Sequence, residues 1–138
     1  MSGNKAMHAL LEHFFWLNMK NVEKSSATYH DEIEYDFCGP KGIQIKGKKE
    51  VSKIMAFLVS AMPNNKVHLK RILTIGDDAV VELASEEIDP KTGGPIITRE
   101  ILFWEMKDGK LYRLRAYRMD PGLFTGEFRE SMEAVRAS

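Results

Sequence analysis

The second half of the chain constrains the fold most, because short turn signals recur there between segments of strand character. Val67 to Ile75 runs into Gly76-Asp77-Asp78, and Ala79 to Ile88 runs into the loop Asp89-Pro90-Lys91-Thr92-Gly93-Gly94. Ile96 to Met106 then meets Lys107-Asp108-Gly109-Lys110, and Leu111 to Tyr117 is the last strand, stopped by Asp120-Pro121-Gly122. Connections this short join antiparallel neighbours, since a parallel return needs a crossover of about a dozen residues or more. The segment from Val67 onward is therefore a meander of long strands.

The first half reads differently. From Lys5 to Val22 apolar residues recur at Met7, Leu10, Leu11, Phe14, Phe15 and Leu17, which is helical spacing broadened by Trp16. Asn21 is placed to cap a short second helix, Val22 to Tyr29. A strand follows around Ile33 to Phe37, and Gly39, Pro40 and Gly42 mark a loop. Gly47 opens a third helix to about Met62, with Val51, Ile54, Met55, Leu58 and Val59 on one face, ended by Pro63-Asn64-Asn65. The tail 121–138 is either a flexible end or a helix through Phe124, Phe128 and Met132.

Three helices ahead of a long meander make an α+β fold. A curved antiparallel sheet with the three helices packed over its concave face is a cone, and its mouth is a natural small-molecule pocket. The 138 residues contain no repeat and no low-complexity linker, so 1–138 is expected to be one domain.

Charge and cysteine content narrow the partners. Twenty basic residues balance twenty acidic ones, which argues against nucleic-acid binding through a basic stripe. Lys41, Lys46, Lys48, Lys49 and Lys53 cluster in sequence, and their ordinary reading is a solvated loop and helix face. A lone cysteine, Cys38, cannot form an internal disulfide, and no Cys/His spacing suggests a metal site. No apolar run is long enough for a membrane span and no leader pattern opens the chain, so a cytoplasmic protein is expected.

The central local question is posed by His30-Asp31-Glu32-Ile33-Glu34-Tyr35-Asp36. Simple alternation turns Ile33, Tyr35 and Phe37 to the core and leaves Asp36 in water. Pointed into an apolar pocket, the same aspartate is an acid or base, because partial burial raises a carboxylate's pKa toward that of a carbon acid.

The acidic strand, the helix ending in Leu17-Asn18, the Gly47-to-Pro63 helix, and Asp108-Gly109-Lys110-Leu111 leading into Leu114-Arg115-Ala116-Tyr117 together resemble the nuclear-transport-factor-2-like superfamily. Within it the likeness is to the SnoaL-like polyketide-cyclase and ketosteroid-isomerase branch, over about residues 5 to 120. That fold hosts isomerases, epoxide hydrolases, cyclases and non-catalytic binding domains, so it does not select a chemistry.

By that resemblance Asp36 falls on the isomerases' proton-shuttle position. The isomerases' oxyanion tyrosine falls on Glu12, and their protonated acid falls near Ile101 or Leu102, so that electrostatic half of the mechanism is missing. The limonene-epoxide hydrolase positions fall on Ser85, Glu87 and Ala116, leaving one carboxylate and no arginine partner.

The expected site is therefore Asp36 as base, assisted by His68 or Glu87, since a histidine beside an acid relays protons near neutral pH. Its walls are expected from Glu12, Trp16, Val81, Leu83, Ser85, Leu114, Ala116 and Arg118. The implied function is cofactor-independent proton transfer on an apolar oxygenated small molecule, with a non-catalytic binding or interaction domain as the alternative. Arg99, Arg113, Arg115 and Tyr117 are expected on an outer sheet face that pairs two copies, with Glu82, Glu86 or Glu100 as partners of the arginines.

Overall fold

A computed structural model describes residues 2–38, 42–118 and 126–138, with the side chains of 2–4 and 126–129 excepted. Helices α1 (Ser2–Asn18) and α2 (Val22–Ser26) precede strands β1 (Tyr29–Phe37) and β2 (Ile43–Lys46). Helix α3 (Lys48–Ala61) leads into β3 (Lys66–Ile75), β4 (Asp78–Ile88), β5 (Pro95–Lys107) and β6 (Lys110–Arg118), and α4 (Gly126–Ala137) closes the chain.

The four-strand meander forms as the turns demand. Asp108 and Gly109 both take positive φ, 53° and 73°, the backbone of a two-residue hairpin whose twist matches its strands. The sheet order is β2-β1-β6-β5-β4-β3. All pairs are antiparallel except β1 with β6, which run parallel with Tyr35 opposite Leu114 and Phe37 opposite Ala116. This is possible because the whole of β2 to β5 lies between β1 and β6 in sequence, a crossover far longer than a turn. Strand β2 was not legible beforehand: Ile43 and Ile45 alternate inward over four residues, too short a run to stand out beside the loop signal.

The sheet is curved and open, and α1 and α3 lie over its concave face. Helix α1 presents Ala6, Leu10, His13 and Phe14 as its buried stripe; α3 presents Val51, Ile54, Met55 and Leu58. Asn18 fastens the end of α1 to the rim of β3, donating to the Val67 carbonyl at 2.9 Å and accepting from the Val67 N–H at 2.8 Å. Helix α4 packs on α3 through the buried Met132. Gly39, Pro40, the Asp120-Pro121-Gly122 stop, and the side chains of Phe124 and Phe128 lie outside the described residues.

Candidate functional site

The inward residues of the sheet form rungs of changing character. Ala79, Trp104 and Leu114 stand side by side at the deep end; Val81, Leu102 and Ala116 form the next rung; Leu83, Glu100 and Arg118 form the third. Ser85 and Glu87 follow on β4. From Trp104 to Glu100 the strand advances about 13 Å, so the lining passes from aromatic to ionic over about 13 Å.

Between this face and helices α1 and α3 lies a cavity of about 100 Å³. Of the residues expected from sequence, Leu83, Ser85, Glu87, Leu114, Ala116 and Arg118 line it together. The other expected residues do not. Asp36 faces the outside: β1 buries Ile33 and Tyr35, alternation turns Asp36 away, and it borders a shallow depression with Cys38, Gly42 and Gln44. His68 lies on the same outer side of β3, bonded through Nε2 to Glu86 Oε2 at 3.0 Å, while its neighbour Val67 faces the cavity. Glu12 is exposed on α1 beside His8, because the next residue, His13, takes the inward position. Trp16 is half-buried away from the cavity, with the Lys24 ammonium 4.3 Å from its ring centre. Val81 is fully buried in the core behind the cavity wall.

Several residues that sequence reasoning passed over do line the cavity: His13, Lys20, Tyr35, Asn65, Glu100 and Trp104. His13 was readable, since it sits three residues after Leu10 and four before Leu17 on the apolar stripe. Glu100 was readable too, because period two places it with Leu102 and Trp104 on one face. It therefore does not serve the outer-face arginines; Arg118 Nε meets its Oε1 at 2.9 Å inside the mouth. Arg113 pairs instead with Glu34 and Glu105. Lys20 and Asn65 carried no periodic signal, as both lie in connections.

The deep end is a neutral hydrogen-bonded cluster. Tyr35 donates its hydroxyl to the Tyr29 oxygen at 3.0 Å, and Ser25 Oγ lies 2.8 Å from His13 Nδ1. These two hydrogen-bonded pairs meet where the His13 and Tyr29 rings pack at a centre distance of 5.5 Å. Burial holds the His13 imidazole neutral by lowering its pKa to about 3, and raises Tyr29 to about 12. Tyr35 is raised well above the ordinary range, first by burial and then by Tyr29. The indole Nε1 of Trp104 is buried with no hydrogen-bond acceptor among the described residues.

The mouth is ionic. Glu87 is only 1% exposed, and Ser85 Oγ donates to its Oε1 at 3.4 Å. Asn65 Nδ2 donates to Ser85 Oγ at 2.7 Å, and the Lys20 ammonium donates to the Asn65 carbonyl. Burial lowers the pKa of the Lys20 amine. Among the described residues no group of three His, Cys, Asp or Glu side chains is placed to hold a metal.

A family model described as the SnoaL-like domain matches residues 9–114. The chain belongs to the SnoaL-like family. No curated protein matches it. Among solved structures, this SnoaL-like chain is similar to Bal32a from a soil-derived mobile gene cassette, at 10% identity over 87% of this chain and 93% of that one, with a TM-score of 0.77. It is similar to an LEH-like epoxide hydrolase of M. tuberculosis, at 18% identity over 100% of both chains, with a TM-score of 0.76. It is also similar to TerC, solved with polyporic acid, at 19% identity over 94% and 98% of the two chains, with a TM-score of 0.74. At these identities the likeness is one of fold. No helix among the described residues is long and apolar enough to cross a membrane.

Proposed function

We propose that this SnoaL-like protein binds a small apolar, oxygenated molecule in the cone cavity and, without a cofactor, transfers protons on it, with Glu87 as the base. The observation that carries the reading is a carboxylate, 1% exposed, in the wall of a cavity whose deep end is aromatic and apolar, and oriented by Ser85. Asp36, on the outer face, has no part in it. A base held beside a carbon next to a carbonyl takes its proton, the C–H pair becomes a C=C bond, and the carbonyl pair moves to oxygen. Return of the proton elsewhere completes an isomerisation; attack by the enolate carbon or loss of a leaving group gives the cyclase or lyase outcome.

Size limits the ligand. A cavity of about 100 Å³ is somewhat smaller than the ~150 Å³ that accommodates benzene, and well below the ~300–1,000 Å³ of drug-sized pockets. The buried part of the ligand is thus a small ring or short chain, with the rest in the mouth. TerC, of similar fold, was co-crystallised with polyporic acid, which supports a small-molecule ligand for a chain of this fold.

The test is hydrogen–deuterium exchange at the carbons beside the carbonyl of small cyclic ketones in heavy water, followed by NMR. The wild-type protein is expected to accelerate exchange, and Glu87→Gln to remove about 10²–10⁴ of that rate. Equal exchange by the two proteins refutes the role of Glu87 and leaves the non-catalytic binding reading.

We also propose that the outer sheet face pairs two copies. Leu73, Val80 and Phe103 stand in one row across β3, β4 and β5, and Phe103 packs edge-on against Tyr117 at 5.7 Å. Phe103 and Tyr117 are 47% and 44% exposed. Glu82 on β4 and Arg99 and Arg115 on β5 and β6 share this face, so a twofold axis sets acidic against basic flanks. Light scattering should report a dimer that Phe103→Glu splits; a wild-type monomer at high concentration rejects the proposal.

A further inference from the structure

Lys20 sits where a lysine is unfavourable. Its φ is 62°, in the left-handed region that glycine enters freely. Its N–H donates to the Leu17 carbonyl at 3.0 Å and the next N–H, of Asn21, donates to the Trp16 carbonyl at 2.9 Å. These are the paired bonds of a helix stop whose usual occupant is glycine. The side chain that makes this position costly is turned into the cavity wall. Strain of this kind persists where the surrounding structure holds it, and it concentrates at functional sites.

The position of the ammonium gives it a use. It donates to the backbone carbonyl of Asn65; the Asn65 side-chain amide donates to Ser85 Oγ, and Ser85 donates to Glu87. Cation and base are thus both tied to Asn65, the cation through its backbone carbonyl and the base through its side-chain amide and Ser85. Among the described residues no carboxylate forms an ion pair with Lys20, and burial lowers the pKa of its amine. The neighbouring cation, Arg118, is by contrast engaged with Glu100.

We propose that Lys20 holds the ligand oxygen on which negative charge develops, so that the cavity takes molecules with a small apolar body and an enolisable carbonyl at the outer end. This rests on the proton-transfer reading above. When Glu87 takes the proton from carbon, the electron pair displaced to the carbonyl oxygen meets the Lys20 ammonium, and the charge returns to Glu87 when the proton is given back. A preorganised cation where charge develops is the usual largest electrostatic contribution to such a step.

Benzoate and its neutral isostere benzamide are the probes: their ring stands at the upper size limit of the apolar body, reaching from the cavity into the mouth, and the carboxylate is a stable mimic of the enolate oxygen. Binding is measured by calorimetry in a Glu87→Gln background, where the uncharged amide stands for the protonated acid of the enolate stage. Benzoate is expected to bind about tenfold or more tightly than benzamide. Adding Lys20→Gly should abolish that preference, keep benzamide binding, and raise Tm because the left-handed backbone is relieved. A preference that survives Lys20→Gly overturns the assignment, as does equal binding of the two probes before Lys20 is changed. If neither probe binds, the small-ring cavity reading falls and this assignment with it. If benzamide binds and benzoate does not, the cavity stands and the assignment alone is refuted. A purely structural role for Lys20, tying the end of α1 to Asn65, would lower Tm and leave the preference intact.

Discussion

The two ends of one cavity are built from opposite materials. At the deep end His13, Ser25, Tyr29 and Tyr35 are buried, neutral and hydrogen-bonded in two pairs, with Trp104 against His13 and Tyr35 at ring-centre distances of 5.8 and 5.5 Å. At the mouth Lys20, Glu87, Glu100 and Arg118 bring four charged side chains around one opening, with Asn65 and Ser85 between Lys20 and Glu87. Neutral groups whose hydrogen bonds are made within the cluster contribute to stability and leave a ligand little beyond the Trp104 indole N–H. Charges at a rim are costly to hold and suited to chemistry, since polar arrangements at functional sites are commonly retained at the expense of stability. The difference assigns the fold's stability to the deep end and its chemistry to the mouth.

The largest expected effect lies at the deep end. Trp104→Ala removes the largest fully buried side chain and leaves a void beside His13, Tyr35 and Leu114, which should cost about 3–5 kcal/mol in urea unfolding. That is a large part of the roughly 5–15 kcal/mol that holds a domain of this size together. Glu87→Gln, at the mouth, is nearly isosteric and should change stability by less than about 1 kcal/mol while removing the exchange activity. Comparable losses from the two variants would break the division, because the mouth would then be structural as well.

How far this division could be read in advance follows from the kind of signal each residue leaves. Turn chemistry fixed the order of β3 to β6, since Asp108-Gly109 and Gly76-Asp77 admit few backbones. Period-two alternation placed Leu83, Ser85 and Glu87 on one face, and the same rule places Asp36 outside. The family register set Asp36 inside, and the structure favours the alternation. A register count carries no information about which way a side chain points, whereas the pleat does. His13 and Glu100 obeyed their periodicities but were passed over because polar residues at apolar positions read as exceptions. Lys20 and Asn65 had no period to obey. Their roles come from a helix stop and a connection brought beside β4 by long-range packing, which local sequence does not encode.

The smaller effect sharpens the comparison by isolating one group of the deep end. His13 has its pKa lowered from 6.5 to about 3 because burial disfavours the imidazolium, so the folded protein leaves it neutral where the unfolded chain protonates it. The unfolded state then binds more protons below the unfolded value, and stability falls as the pH falls through the window from 6.5 down to about 3. The loss approaches about 1.4 kcal/mol per pH unit, or about 2 kcal/mol between about pH 7 and about pH 5. Urea midpoints across that interval, followed by Trp fluorescence, should show the slope in the wild-type protein. His13→Gln, which can still meet Ser25 and does not titrate, should flatten it, even though its stability near neutral pH is lower. A slope unchanged in the variant would mean that another group takes up the protons and that His13 is open to solvent. The deep end would then be a wet, titrating extension of the mouth, and the assignment of stability to one end and chemistry to the other would no longer hold.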